Sequence, residues 1–302
     1  MQVRVLGSGA GGGFPQWNCA CASCEGLRRG RLSAQPRSQS SIALSDDGER
    51  WLLVNASPDV REQINRTPAL WPRRAPRHTP IGAVLLVDAQ IDHVTGLLSL
   101  REGPRLHLYC TEPVAADLRQ GFPLLKMLEH YCGVTHHPVT ADGNPFAVAA
   151  VPGLTLRALA VPGKAPPYSP HRHDPHPGDN VALVAEDRRG ARLFYAPGLG
   201  GITSALIQEM TAADCLLVDG TFWTNDEMAQ RGCGNNDAAS MGHLPQSGPG
   251  GMIERLSGLH KPRKILIHIN NTNPILDDDG AERRQLAEAG IELAYDGMEI
   301  AL

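Results

Sequence analysis

The sequence predicts an α/β fold in which two sheets are enclosed by helices, and three observations carry that prediction. Short apolar runs come first in hairpin-like pairs and later alternate with helical stretches. No linker and no tandem repeat divides the chain, so residues 1–302 read as one domain. The composition, 42% hydrophobic and 20% charged over 302 residues, supplies a large core and excludes a mostly disordered chain. Two layers of strands with helices outside accommodate this pattern better than a tandem βα array.

Taken in order, Val3–Leu6 reads as a short strand entering the glycine-rich stretch from Gly7 to Gly13. Ser40–Leu44 and Trp51–Asn55 read as hairpin partners across the turn residues Asp46-Asp47-Gly48. Ser57-Pro58-Asp59 reads as an N-cap, a proline at the first helical position and an acid suited to the helix dipole, opening a short helix over Val60–Arg66. Gly82–Val87 is an apolar strand, with Asp88–His93 at its end and a helix expected near Val94–Leu100. Further strands are expected at Leu106–Cys110, Leu154–Val161, Val181–Ala185, Arg192–Tyr195, Cys215–Asp219 and Lys264–Ile269. Helices are expected at Pro113–Arg119, Leu124–His130, Ile202–Met210, Pro249–Ser257 and Ala281–Ala289. The Pro/His-rich stretch from Val161 to Asp179 is too polar for core and reads as a long loop, of the kind that often serves function.

Charge and hydropathy remove whole classes of function. Lys+Arg 28 against Asp+Glu 32 leaves a net charge of −4, so no general basic surface offers itself to nucleic acid. No stretch approaches the roughly 20 apolar residues of a membrane span. The run Met1–Leu6 is too short for a signal-peptide core, so a cytoplasmic protein with reduced thiols is expected. The oligomeric state is not set by the sequence, and a homodimer stays open. Against that background, 12 His and 7 Cys suggest metal handling.

Gly7-x-Gly9-x-x-Gly12 fits the spacing of a dinucleotide fingerprint, but Phe14-Pro15-Gln16-Trp17 cannot promptly open the helix that would meet a pyrophosphate. A tight loop passing close to a site is the better reading. Cys19-x-Cys21-x-x-Cys24 is the strongest chemical signal. Three thiolates within six residues converge readily on one cation, zinc being the usual occupant of such closed structural sites. The sequence does not nominate the fourth ligand. Cys110, Cys132 and Cys215 sit in apolar surroundings and read as core, and Cys233 stands in a polar Gly/Asn stretch without an identifiable partner.

Asp92 and His93 follow an apolar strand and can reach one cation beyond it, with His268 at the end of a later strand as third ligand. Two imidazoles and a carboxylate suit non-haem iron(II) while accepting other divalent cations. His171-x-His173-Asp174-Pro175-His176 is richer in histidine, yet no strand delivers it; its best role is a substrate lid. Asp219, ending the strand Cys215–Asp219, and His243, before a predicted helix, read either as cap and loop residues or as acid–base groups of the same cleft.

These motifs in this order resemble the metallo-β-lactamase superfamily. More closely, Cys19–Cys24, Asn55-Ala56-Ser57-Pro58-Asp59, Asp88–His93, Asp219–Trp223, Met241–Pro245 and His268–Pro274 resemble the pyrroloquinoline quinone biosynthesis protein B family, over essentially the whole chain. The resemblance implies an αββα sandwich, two facing mixed sheets with helices outside and a metal cleft at one sheet edge. In the superfamily's hydrolases a His-x-His-x-Asp-His motif binds two cations. Here Asp88 and Gln90 replace its first two histidines, which leaves Asp92, His93 and His268 for one cation. The implied activity is iron-dependent hydroxylation, with O2, of the tyrosine ring in a cross-linked Glu–Tyr precursor. Asp219 and His243 would assist, and Ser57, Asp88, Gln90 and Thr221 would lie on the substrate side. A soluble carrier for transport of the quinone or its precursor to the periplasm, and a divergent metallo-hydrolase, remain the alternatives. Related phosphodiesterases complete the three-cysteine zinc with a histidine three residues after the late ligand; here that position is Asn271.

Overall fold

A computed structural model describes all residues, 1–302. Strands β1 (Gln2–Gly7), β2 (Ser41–Ser45), β3 (Trp51–Val54), β4 (Ile81–Leu85), β5 (Leu106–Cys110) and β6 (Val134–Pro138) build one sheet. The second holds β7 (Asp142–Phe146), β8 (Leu154–Ala160), β9 (Val181–Asp187), β10 (Arg192–Ala196), β11 (Cys215–Asp219), β12 (Arg263–Ile267) and β13 (Ile291–Leu293), and β14 (Glu299–Ala301) returns to the first. The spatial orders are β14-β1-β2-β3-β4-β5-β6 and β13-β12-β11-β10-β9-β8-β7. The expected pair of facing mixed sheets is therefore present.

Each sheet is antiparallel on one side and parallel on the other. Strands β3 to β6 run parallel, as do β10 to β13. Parallel neighbours need crossover connections, and those crossovers cover the outer faces with helices. Strands β2 and β3 are consequently buried on both faces and read as continuous apolar runs. The inter-sheet core packs Ile42, Leu44, Leu52 and Val54 against Leu183, Leu217 and Ile265. Outer cores lie under the helices of either sheet. The parallel halves place the carboxyl ends of β4, β11 and β12 at one edge of the sandwich.

Most expected elements are present, with shifted ends. The strands β6, β7, β13 and β14 were not expected. All four lie at sheet edges, and in two of them Thr135-His136-His137-Pro138 and Asp142-Gly143-Asn144-Pro145 carry polar and proline residues that an edge tolerates. The helix after Ser57 begins at Val60 with Asp59 as its N-cap, so Ser57 is not the cap. The glycine-rich stretch opens no helix: Gly9 bridges Gln39 and Ile269, threading between the two sheets.

The helix expected near Val94–Leu100 is instead one α turn, Ile91–Val94, followed by a 3-10 segment, Thr95–Glu102. Ala56 N donates to His93 O at 2.7 Å and Gly96 N to Ala56 O at 2.9 Å, lashing this turn to the end of β3. A Cβ at Gly96 would stand 2.0 Å from Ser57 O and 2.7 Å from Ala56 O. Backbone atoms on both sides leave no room to give. The Gly96→Ala variant should therefore lose on the order of 2–4 kcal/mol, a drop in Tm of roughly 4–8 °C by thermal unfolding. Since the displaced turn carries Asp92 and His93, the same variant should also bind less metal in the cleft.

Candidate metal centres

A cleft of about 520 Å³ opens at the carboxyl ends of the parallel strands, the usual position for a ligand in such sheets. Asp88 to His93 enter it from the end of β4, Asp219 closes β11, and His268 follows β12 directly. His268 adopts φ +61°, a left-handed conformation that costs a non-glycine residue strain and turns its ring back into the cleft.

The hydrogen bonds behind each imidazole decide which nitrogen is free. His93 Nδ1 lies 2.8 and 2.9 Å from the two oxygens of Asp88, so it is the protonated nitrogen and Nε2 faces forward. Thr221 Oγ1 donates to Asp219 Oδ1 at 2.6 Å and therefore accepts from His268 Nδ1 at 2.9 Å. That leaves His268 Nε2 free, 3.1 Å from Asp92 Oδ2, which in turn is 3.9 Å from His93 Nε2. Donor atoms of Asp92, His93 and His268 all lie within 4.8 Å of one another. Two imidazole nitrogens, each aimed by a partner on its far side, and one carboxylate oxygen fit a single divalent cation with positions left open.

Electrostatics agree with a site that trades protons for metal. Burial disfavours the His93 cation, but Asp88 and Asp92 outweigh it and push the imidazole up to about 9. Burial likewise disfavours the Asp92 carboxylate, and the positive charge of His93, with the His268 ring beside it, more than offsets this, holding it well below the usual range.

Asp219 is fully buried and accepts from Leu199 N, Thr221 N and His243 Nδ1 at 2.8 to 3.0 Å. Despite burial, the Asp219 carboxylate raises the proton affinity of His243, while His243 lowers that of Asp219. With Nδ1 committed to Asp219, His243 lines the cleft together with Asp92, His93 and His268, the arrangement of a positioned acid or base.

The cysteine motif forms a second cluster at the start of the helix Ala22–Arg28. Asn271 Nδ2 lies 3.2, 3.7 and 3.3 Å from the sulfurs of Cys19, Cys21 and Cys24. Burial pushes the Cys24 thiol up to about 12, so a cation must expel protons to bind. Cys233, left without a partner by the sequence, has its sulfur 3.9 Å from that of Cys19.

Other expectations divide. Asp88, Gln90 and Thr221 line the cleft, but Asp88 is engaged by His93, and Thr221 Oγ1 is engaged within the Asp219–His268 network. Ser57 does not line it: the side chain is wholly buried and meets Gln63 Oε1 at 3.1 Å, because this segment is lashed under the Ile91–Val94 turn. His171 is clamped, with Nε2 2.8 Å from Asp179 and Nδ1 3.1 Å from Ser169 Oγ, which also bonds Asp117. The loop from Val161 is thereby anchored, and it brings Lys164 and Arg172 to the cleft wall. Neither cation makes an ion pair with the chain's own acids. Sequence reasoning missed both, since a basic residue in a polar loop carries no signal of its own. No helix is long and apolar enough to cross a membrane.

Residues 50–269 match the model of the beta-lactamase superfamily domain. The whole chain is 59% identical over 304 aligned residues to coenzyme PQQ synthesis protein B of Pseudomonas paraeruginosa (strain DSM 24068 / PA7), covering all of both sequences. It is 60% identical over 303 residues to the protein of the same name from Azotobacter vinelandii, again covering both fully. Among solved structures, Zn(2+)-bound PqqB from Methylobacterium extorquens superposes with a TM-score of 0.91 at 40% identity, over the full length of both chains.

Two outcomes follow for metal binding. Asp92→Ala should lose the cleft cation and keep the sulfur-bound one, read as metal per chain. In the wild type with its sulfur site filled, cleft affinity should rise about tenfold per pH unit from about 6.5 towards 9, because His93 must give up one proton. For the metal-free chain the sign is opposite: stability from the raised His93 is fully present below about 6.5 and is lost as pH passes 9. Asp88→Asn should flatten both slopes.

Proposed function

The chain belongs to the coenzyme PQQ synthesis protein B family, within the beta-lactamase superfamily; from that premise we propose that it acts in the biosynthesis of pyrroloquinoline quinone as an iron-dependent oxygenase of the tyrosine ring in the cross-linked Glu–Tyr precursor. The observation that carries this reading is the donor set Asp92, His93 and His268; the neighbouring set Asp219, His243 and His268 shares an imidazole with it, and its Asp219 is committed to His243. Asp88, which stands where a hydrolase would place a ligand for a second cation, is committed to His93. One open cation suits O2 chemistry better than the two-metal hydrolysis of the same fold.

Iron(II), when bound, supplies the electrons that activate O2. Everything else falls to the chain's own groups. Hydroxylation places one oxygen atom of O2 on a ring carbon and releases the other as water, so two electrons and two protons must come from an external reductant. His243 is the cleft imidazole that would take up a phenolic proton, and Asp219 would stabilise the imidazolium that results. Lys164 and Arg172, cationic and unpaired at the cleft wall, match the carboxylates of a cross-linked amino-acid pair.

The test is turnover of the precursor by iron-loaded protein with a chemical reductant under 18O2. One labelled oxygen per hydroxylation is expected, and none without O2. Tight precursor binding that survives Asp92→Ala, with no turnover by the wild type, would overturn the oxygenase in favour of a carrier. Arg172→Ala should raise KM about tenfold and change kcat by less than about twofold, the signature of lost uniform binding.

A further inference from the structure

We propose that Ser40 and Tyr195 are positioning residues for the cleft cation: Ser40 holds the His93 ring nitrogen in the metal-free chain, and a cation bound there releases the serine hydroxyl to the Tyr195 phenol. This exchange presupposes a cation held by Asp92, His93 and His268 and is independent of any oxygenase chemistry. Ser40 Oγ lies 3.2 Å from His93 Nε2, the nitrogen that Asp88 leaves facing the cleft. The contact is a hydrogen bond whichever of the two atoms carries the hydrogen. A cation at Nε2 takes the only lone pair of that nitrogen and ends the contact in either case.

The released hydroxyl has a place to go. Tyr195, on β10 of the second sheet, and Asn55, just past β3 in the first, are both wholly buried. Tyr195 OH and Asn55 Nδ2 each lack a hydrogen-bond partner in the chain. The polar side chains that face the phenol are Asn55 and Ser40, with the charges of Asp88 and Asp92 close by. Burial pushes the phenol far above its ordinary range, so it keeps its hydrogen and its oxygen stays free to accept one more.

Both neighbours of the phenol are held from behind. Asn55 takes φ +61°, its N–H donates to Leu85 O at 2.8 Å, and its Oδ1 accepts from Val87 N at 3.1 Å. The last bond decides which end of the amide is oxygen and leaves Nδ2 for the phenol. Ser40 stands between Gln39, which bridges Gly9, and Ser41, whose Oγ donates to Asn55 O at 2.8 Å. Tyr195 itself belongs to the apolar layer between the sheets, where an unpartnered polar group bears the full cost of its desolvation. The metal-free chain carries that cost at the phenol, and the hydrogen bond from Ser40 removes it once a cation is bound. Ser40 and Tyr195 thereby add to cation affinity without offering a ligand.

The test uses the full chain with its sulfur site already filled by zinc, and reads further zinc binding to the cleft by calorimetry alongside the Tm of the cleft-empty chain. Tyr195→Phe should weaken cleft binding about five- to tenfold without lowering that Tm, because it removes both the acceptor of the released hydroxyl and a buried unpartnered group. In a Ser40→Ala background the same change should alter binding by less than about twofold, since no hydroxyl remains to be released. A crystal structure of the zinc-filled wild type, which needs no substitution, should show Ser40 Oγ bonded to Tyr195 OH. Equal weakening in both backgrounds, or a Tm that falls together with the affinity, would overturn the proposal in favour of a purely structural tyrosine. A serine still against His93, or itself bonded to the zinc, would overturn it too. A wild type that takes up no cation at Asp92 would overturn the donor set and the exchange with it.

Discussion

The Asp88–His93 hydrogen bond is the contact on which the cleft depends. By accepting the hydrogen bond of Nδ1–H, Asp88 decides that Nε2 faces forward, and it raises the affinity of that ring for positive charge. The same logic repeats on the other sheet, where Thr221 aims His268 and Asp219 aims His243. Each of the three imidazoles is held in one orientation. A carboxylate spent on aiming a ligand is unavailable as a ligand, so the aspartate at the first position of the motif raises the basicity of His93 instead of offering a donor of its own.

The fold was legible wherever burial on both faces forces an uninterrupted apolar run, as in Ile42–Leu44, Leu52–Val54 and Leu216–Val218. It was illegible at the sheet margins, because an edge strand such as Val134–Pro138 keeps only half its contacts and its residues are chosen for solubility. Asp92, His93 and His268 were readable because each stands where an apolar strand stops, so a local pattern fixed their positions. Ser57 misled for a related reason: Ser-Pro-Asp is good helix-start chemistry, but tertiary packing under Gly96 buries the serine. Cys233 carried no signal, since its partner lies 214 residues away and only the folded chain brings them together.

The histidine-rich loop shows how count and role separate. His171 is occupied by two buried aspartates, Asp117 and Asp179, and serves as an anchor. What the anchored loop delivers to the cleft is charge from Lys164 and Arg172. The prolines that made this segment look mobile restrict the backbone it must hold fixed.

His268 and Asp92 are 176 residues apart in sequence and belong to different sheets. Any cation they share is a cross-link between the two halves of the sandwich. In the unfolded chain that cross-link would have to close a very long loop, and the entropy of such a closure grows with its length. A cation bound there would be a fastener: the loop it closes spans more than half of the polypeptide, so filling the cleft would tie the two sheets together and hold the folded state against unfolding.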